Sequence, residues 1–187
     1  MQYIYKYQSP LGGVTMAADG LNLTGLWFDG QKYFASTLSE EFEEKALNVF
    51  EEAKRWLDLY FSGEIPDFQP PVSLRGTPFQ LVVWEILRRI PYGKTTTYGD
   101  IAELAAAKLG RSSISARAVG GAVGRNPISI IIPCHRVVGA DGSLTGYAGG
   151  IDKKIRLLEI EGVDIRKLSI PKRKRRCDDR SAGAAIG

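Results

Sequence analysis

Two helix-start signals constrain this chain more than any other feature. Thr77-Pro78-Phe79-Gln80 and Thr97-Tyr98-Gly99-Asp100 each place a hydroxyl at a helix N-cap, with a side chain three residues on that can reach back to it. Pro78 suits the first helical position, where an N–H would have no partner inside the helix. Phe79, Val83, Ile86, Leu87 and Ile90 then recur at helical spacing until 91-PYG-93 stops the run. The second box leads 98-YGDIAELAAAKL-109, closed by Gly110, and a Ser-rich turn separates it from 114-ISARAVGGAVG-124. Two helices across a tight turn match a helix-turn-helix, and an ordinary pair of antiparallel helices matches as well.

The first part of the chain reads differently. Residues 3–7 and 14–28 alternate apolar and polar side chains around 10-PLGG-13 and 19-DG-20, which predicts a small antiparallel sheet. The stretch 40-EEFEEKALNVFEEAKRWLDLYFSG-63 predicts one helix with Phe42, Ala46, Val49, Ala53, Leu57 and Tyr60 on its core face. The three prolines of 64-EIPDFQPPVSLRG-76, with no periodicity, predict a linker. After 125-RNP-127 the apolar run 128-ISIII-132 reads as a strand, and 151-IDKKIRLLEIEG-162 as a last helix burying Ile151, Ile155 and Leu158. The expected fold class is therefore α+β. Residues 1–76 form an antiparallel-sheet domain with its linker, and 77–165 a helical, winged-helix-like domain. Residues 166–187 form a basic tail without an apolar face, expected to be disordered.

Composition enters mainly by exclusion. Hydrophobic residues at 44% and charged residues at 25% are ordinary for a globular protein. Two cysteines, Cys134 and Cys177, make no disulfide framework and favour a reducing compartment. One histidine and two distant cysteines supply no zinc set, so no metal is expected. No apolar run is long enough to span a membrane, and 1-MQYIYKYQSP-10 does not read as a signal peptide, so a cytoplasmic location is expected, nuclear if the source is eukaryotic. Residues 1–76 carry a net charge of −5 and residues 77–187 one of +9, which points to an anionic partner such as nucleic acid. The tail supplies +6 of that +9, and its 172-KRKRR-176 reads equally as a nuclear-localisation patch, a phosphate-binding patch, a solubilising end or an expression remnant.

The chemistry concentrates in 131-IIPCHRVVGA-140. A lone cysteine closing an apolar run is an inert packed thiol in one reading. In the other it is a nucleophile: Pro133 fixes the chain before it, His135 and Arg136 bring positive potential that would lower the thiol's pKa, and His135, the only histidine, is a candidate base. The residues by themselves leave both open.

The run 126-NPISIIIPCHRVVG-139 resembles the active-site signature of the O6-alkylguanine-DNA alkyltransferases, whose hallmark is Pro-Cys-His-Arg-Val. The stretches 90-IPYGKTTTYGDIA-102, 116-ARAVGGAVGRNP-127, 145-TGYAGG-150 and 156-RLLEIEG-162 resemble that family's other blocks in the same order, so the likeness covers residues 77–162. It implies that Cys134 takes the alkyl group in a single displacement, forming a stable thioether, so that each molecule acts once and no cofactor is needed. His135 would relay a proton through a water, oriented by Glu161, which the residues alone present as a surface carboxylate. Asn126 would brace the active-site turn, and Tyr98 would help rotate the nucleotide and protonate the leaving guanine. Pro133, Tyr147, Ala148, Gly149 and Gly150 would line the substrate pocket, with Ala148 standing where some relatives have serine.

For DNA, the resemblance implies that Arg117 enters the duplex in place of an extruded base. Ala116, Ala118, Gly120, Gly121 and Arg125 would lie on the surface facing the minor groove of double-stranded DNA that contains O6-alkylguanine. A monomer is expected. Two glycines within a helix cost about 1 kcal/mol each in propensity, itself a hint of function. There are departures: zinc ligands found in some relatives' N-terminal domains are missing here, and there is no length for a phosphotriester-repair domain. Two rivals remain. One is an alkyltransferase-like protein that binds lesions without transfer, although that group carries Trp where this chain has Cys134. The other is a thiol hydrolase or redox enzyme, for which no second nearby cysteine exists.

Overall fold

Alternation in the first residues does produce strands. In the computed structural model, which describes residues 1–170, β1 (Gln2–Ser9) and β2 (Gly12–Ala18) pair antiparallel, and β3 (Leu23–Phe28) continues the sheet beyond β2. Ser9 secures the first turn, donating from its hydroxyl to the Gly12 carbonyl at 2.6 Å and accepting from the Leu11 N–H at 3.1 Å. Gly12 takes φ +111°, which only glycine adopts freely.

The long helix expected over 40–63 is shorter. Its first residues form β4 (Phe42–Glu44), parallel to β1, so the sheet is mixed with order β3-β2-β1-β4; α1 spans only Asn48–Phe61. Phe42 is half exposed and Ala46 exposed, and the core face of α1 is Val49, Phe50, Ala53, Trp56, Leu57 and Tyr60. The reason is physical. Glu40, Glu41, Glu43 and Glu44 would repel one another at helical spacing, while the free edge of β1 offers unpaired backbone groups. The expected linker is also less free than its prolines imply. Leu23 donates to the Pro71 carbonyl and accepts from the Ser73 N–H, both at 2.8 Å, so this segment runs alongside β3.

Both capping boxes close reciprocally at the starts of α2 (Pro78–Leu87) and α3 (Tyr98–Leu109). Gly110, in the left-handed region, ends α3, and α4 (Ala116–Gly124) follows after Ser115 caps it. The Trp84 indole donates to the Ala122 carbonyl at 2.9 Å and seats α4 on α2. Two-residue strands β5 (Thr96–Thr97) and β6 (Val137–Val138) pair in parallel, and α5 (Ile151–Ile160) closes the domain. Of the α5 residues expected inside, Leu158 is buried while Ile151 and Ile155 are half-buried; Lys154 and Leu157 are buried instead.

The run 128–132 is not a strand. Ile128 makes a single bridge to Leu26, and residues 129–132 form a buried turn. One apolar core runs through both halves and includes Phe28, Tyr60, Trp84, Ile132 and Cys134. The first residues of the expected disordered tail fold back: Leu168 packs near Leu144, and Ser169 exchanges backbone hydrogen bonds with Gly142 and Leu144. The rest of that tail, with 172-KRKRR-176 and Cys177, lies outside the described residues. Among the described residues no helix is long and apolar enough to cross a membrane.

Candidate active site

The turn that presents Cys134 is held from within. Ile130 sits at φ +69°, a conformation that costs a β-branched residue about 1–3 kcal/mol and persists only when its surroundings enforce it. Asn126 does so. Its amide donates to the Ile132 carbonyl at 2.8 Å and the Ile128 carbonyl at 3.2 Å, while its oxygen accepts from the Ile128 N–H at 3.0 Å. From outside, β3 clamps the turn: Leu26 donates to Pro127 at 2.9 Å and accepts from Ser129 at 2.8 Å. Pro133, at φ −82° and ψ 65°, centres an inverse γ-turn closed by Cys134 N–H on the Ile132 carbonyl at 2.8 Å. A short 3-10 helix, Cys134–Arg136, then turns all three side chains inward.

His135 and Glu161 meet at 2.6 Å through Nε2 and Oε1, both side chains fully buried. The Glu161 carboxylate also accepts from Arg136 Nε at 2.8 Å and a second Arg136 nitrogen at 3.0 Å, the Gly93 N–H at 3.0 Å and the Tyr60 hydroxyl at 2.8 Å. Burial by itself would raise this carboxyl, but the bonds from His135 and Arg136 prevail and bring it down to about 2. Burial lowers His135, and Arg136 and Lys154 add to that, so the imidazole is neutral at neutral pH with its proton on Nε2 toward Glu161. Nδ1 is then a free acceptor, and it has no hydrogen-bond partner among the described residues.

The electrostatics around sulfur differ from the expectation. Burial holds the Cys134 thiol above its ordinary value, so the chain neighbours do not activate it. Arg136 is engaged by Glu161 and His135 is neutral. The cation that does favour a thiolate is Lys154, which sequence reasoning missed. It is fully buried, donates to the Val137 carbonyl at 2.5 Å and the Thr145 carbonyl at 2.8 Å, and is lowered by burial to about 8. A lysine beside a second lysine on a helix gives no signal of burial.

Tyr98 donates to the Thr145 carbonyl at 3.0 Å. Burial first, and the nearby Cys134 second, push its hydroxyl up to about 12, so it stays a neutral donor. The Tyr147 ring packs edge-on to His135 at 6.5 Å, and its buried hydroxyl has no hydrogen-bond partner among the described residues. Gly149 is required there, since a Cβ would fall 2.8 Å from the Tyr147 ring. Gly146, outside the expected site, is equally constrained: a Cβ would meet the Tyr98 hydroxyl at 2.7 Å, and φ is +74°.

Ala116, Arg117, Ala118, Gly121 and Arg125 lie on the exposed surface of α4 and its end, and Gly120 is half-buried over the Tyr98 ring. A cleft of about 400 Å³ adjoins this face, bounded by Gly120, Gly121, Tyr147, Ala148 and Gly150. Such a volume is in the range of small-molecule sites. Its far wall is Lys32 and Tyr33 from the loop after β3, which sequence reasoning also missed. The Lys32 N–H donates to the Ala148 carbonyl at 3.1 Å, and Arg125 lies over the Tyr33 ring at 5.1 Å. The structure thus brings all five expected catalytic residues to one place, and of the expected DNA face it sets Gly120 and Gly121 on the wall of the cleft. No group of residues suited to a metal ion occurs among the described residues.

Comparison with known proteins agrees with this geometry. Residues 78–163 match the model of the 6-O-methylguanine DNA methyltransferase DNA-binding domain, and residues 2–74 that of the same family's ribonuclease-like domain. A methylated-DNA–protein-cysteine methyltransferase of Mycobacterium leprae is 47% identical over 161 residues, covering 86% of this chain and 93% of the relative. One from Haemophilus influenzae is 40% identical, covering 86% and 87%. Among solved structures, Mycobacterium tuberculosis OGT in complex with DNA superposes with a TM-score of 0.75 at 42% identity, covering 89% of this chain and 94% of that one. An O6-methylguanine DNA methyltransferase from Methanococcus jannaschii does so with a TM-score of 0.58 at 35% identity, covering 86% and 94%. With both of its domains matched along most of the described chain, this protein belongs to the 6-O-methylguanine DNA methyltransferase family.

Proposed function

We propose that this protein repairs DNA by moving an alkyl group from O6 of guanine to Cys134, once per molecule and without a cofactor. The observation that carries the reading is the disposition of His135: Nε2 is fixed by Glu161, and Nδ1, one residue from a buried thiol, has no partner among the described residues. The thiol proton passes to Nδ1 through a bridging water, which spans a gap that the side chains do not close. Sulfur attacks the alkyl carbon, the carbon–O6 bond breaks, and its electron pair leaves with guanine. Tyr98 then gives its proton to the base, which requires its hydroxyl to leave the Thr145 carbonyl, and the proton held by His135 returns through water to restore the neutral tyrosine. Lys154 favours the developing thiolate. The product is a thioether, and nothing in the site reverses it.

A paired guanine hides O6 inside the stack, so the nucleotide must be extruded at a cost of a few kcal/mol. Arg117, exposed at the start of α4, takes the vacated place as the small residues around it settle in the minor groove. The base enters the cleft beside Tyr147 and Ala148. The Ala148 side chain has no hydroxyl to offer O6, which leaves backbone N–H groups and Tyr147 for that task. The protein acts as a monomer on double-stranded DNA.

The test is intact mass after mixing with an oligonucleotide containing O6-methylguanine, followed by peptide mapping. One methyl group per protein at Cys134, and none at Cys177, is expected. Lesion-selective binding with no mass change would replace this reading with that of a protein that binds lesions without transfer.

A further inference from the structure

We propose that Tyr60, carried by α1 of the N-terminal domain, is a positioning residue of the alkyl-transfer site: its hydroxyl fixes the Glu161 carboxylate and, through it, the His135 ring. The inference rests on the His135–Glu161 relay of the proposed function. Glu161 Oε1 receives Tyr60 at 2.8 Å and His135 Nε2 at 2.6 Å, so tyrosine and imidazole share one oxygen. Among the described residues Tyr60 is the only donor to Glu161 from residues 1–76, the others being Gly93, His135 and Arg136. Its oxygen lies 3.4 Å from Nε2 and 3.5 Å from the Leu157 carbonyl, so its single proton goes to the nearer carboxylate.

The ring is held as firmly as the hydroxyl. Tyr60 is fully buried, stacked on Trp56 at 5.3 Å and 9°, and set edge-on to Tyr92 and His135. Burial and the Glu161 charge keep its proton on throughout the working range, so it is a constant donor. A buried tyrosine hydroxyl usually finds a hydrogen-bond partner, and a purely structural role would end there. The shared oxygen adds a consequence. Each donor on Oε1 draws off charge that otherwise holds the imidazole N–H. Without Tyr60 the carboxylate pulls harder and favours the imidazolium, which cannot accept the thiol's proton. The other groups around His135 are Arg136 and Cys134 on its own turn, Lys154 from α5, and Tyr147. Both cations favour the neutral ring, so Glu161 is the one partner whose strengthening charges it.

The test is Tyr60→Phe in the full chain, which keeps the stacked ring. Transfer from the O6-methylguanine oligonucleotide is followed by intact mass across the acid-to-neutral range. The acid limb should move up by about half a pH unit, roughly a threefold loss of rate at a fixed pH on that limb. His135 is the only histidine, so nitrogen NMR of the imidazole reads the same shift without overlap. An unmoved limb and an unmoved imidazole titration, with only a lower melting temperature, would make Tyr60 ordinary core and overturn the proposal. His135→Gln is run in parallel: wild-type rates there would sink the relay itself, whereas slow His135→Gln with unchanged Tyr60→Phe would sink only the Tyr60 role. Should Tyr60→Phe not fold, the wild-type protein decides. A slowly exchanging Tyr60 hydroxyl proton in contact with the Nε2 proton supports the assignment, and rapid exchange overturns it.

Discussion

Substituting Gly121 with alanine separates what the fold needs from what DNA needs. A Cβ on Gly121 or Gly124 would meet nothing within 4 Å, and one on Gly120 would touch only the Tyr98 ring, at an ordinary 3.8 Å. None of the three has a positive φ. Nothing among the described residues therefore asks for glycine on α4, although each costs about 0.5–1 kcal/mol of helix stability relative to alanine. Gly121→Ala should recover that amount. For a chain of this size it corresponds to a rise of about 1–4 °C in melting temperature. On the DNA side the added methyl lies on the exposed face. If that face packs against a groove, forcing a methyl into the contact costs about 1–3 kcal/mol, a loss of about 5- to 150-fold in affinity. Thermal unfolding by circular dichroism and fluorescence anisotropy on a duplex at fixed salt give the two numbers. A lower melting temperature would refute the packing argument, and a higher one with unchanged affinity would refute the assignment of α4 to DNA.

Arg117 makes no hydrogen bond or ion pair among the described residues, so Arg117→Ala should leave stability within about 0.5 kcal/mol. It should slow repair in duplex DNA far more than attack on free O6-alkylguanine base; equal losses by intact mass would reject its role in base extrusion. Glu161 has a folded pKa of about 2 against an ordinary 4.5, so its contribution is complete above the higher value and is lost as pH falls through the lower. Acid unfolding monitored by fluorescence should show this loss between about pH 5 and pH 2, and Glu161→Gln should flatten it. Lys154→Met removes the donor to the Val137 and Thr145 carbonyls and the cation near sulfur. Stability should fall by about 1–3 kcal/mol, and transfer at neutral pH should slow in addition; loss of stability with an unchanged rate would limit Lys154 to holding the loop.

What the sequence disclosed was local. A capping box, a glycine that ends a helix and a proline at a first turn act over three or four residues, and α2 and α3 begin where those signals put them. The misreadings arose where distant groups overrule a local pattern. Ile128–Ile132 has the composition of a strand, yet Asn126 and the edge of β3 supply its hydrogen bonds and bend it into a turn with Ile130 at positive φ. Glu161 has the look of a surface carboxylate at a helix end because its donors stand 25, 26, 68 and 101 residues away. The thiol carries the sharpest case. Adjacent positive residues made Cys134 look activated by its neighbours, but a tight turn sends the His135 and Arg136 side chains to Glu161, where one is neutral and the other neutralised. The cation that sulfur faces is Lys154, twenty residues on and buried by the packing of α5. Sequence adjacency sets which charges are available to a site; only the backbone's path decides which of them the reacting atom feels.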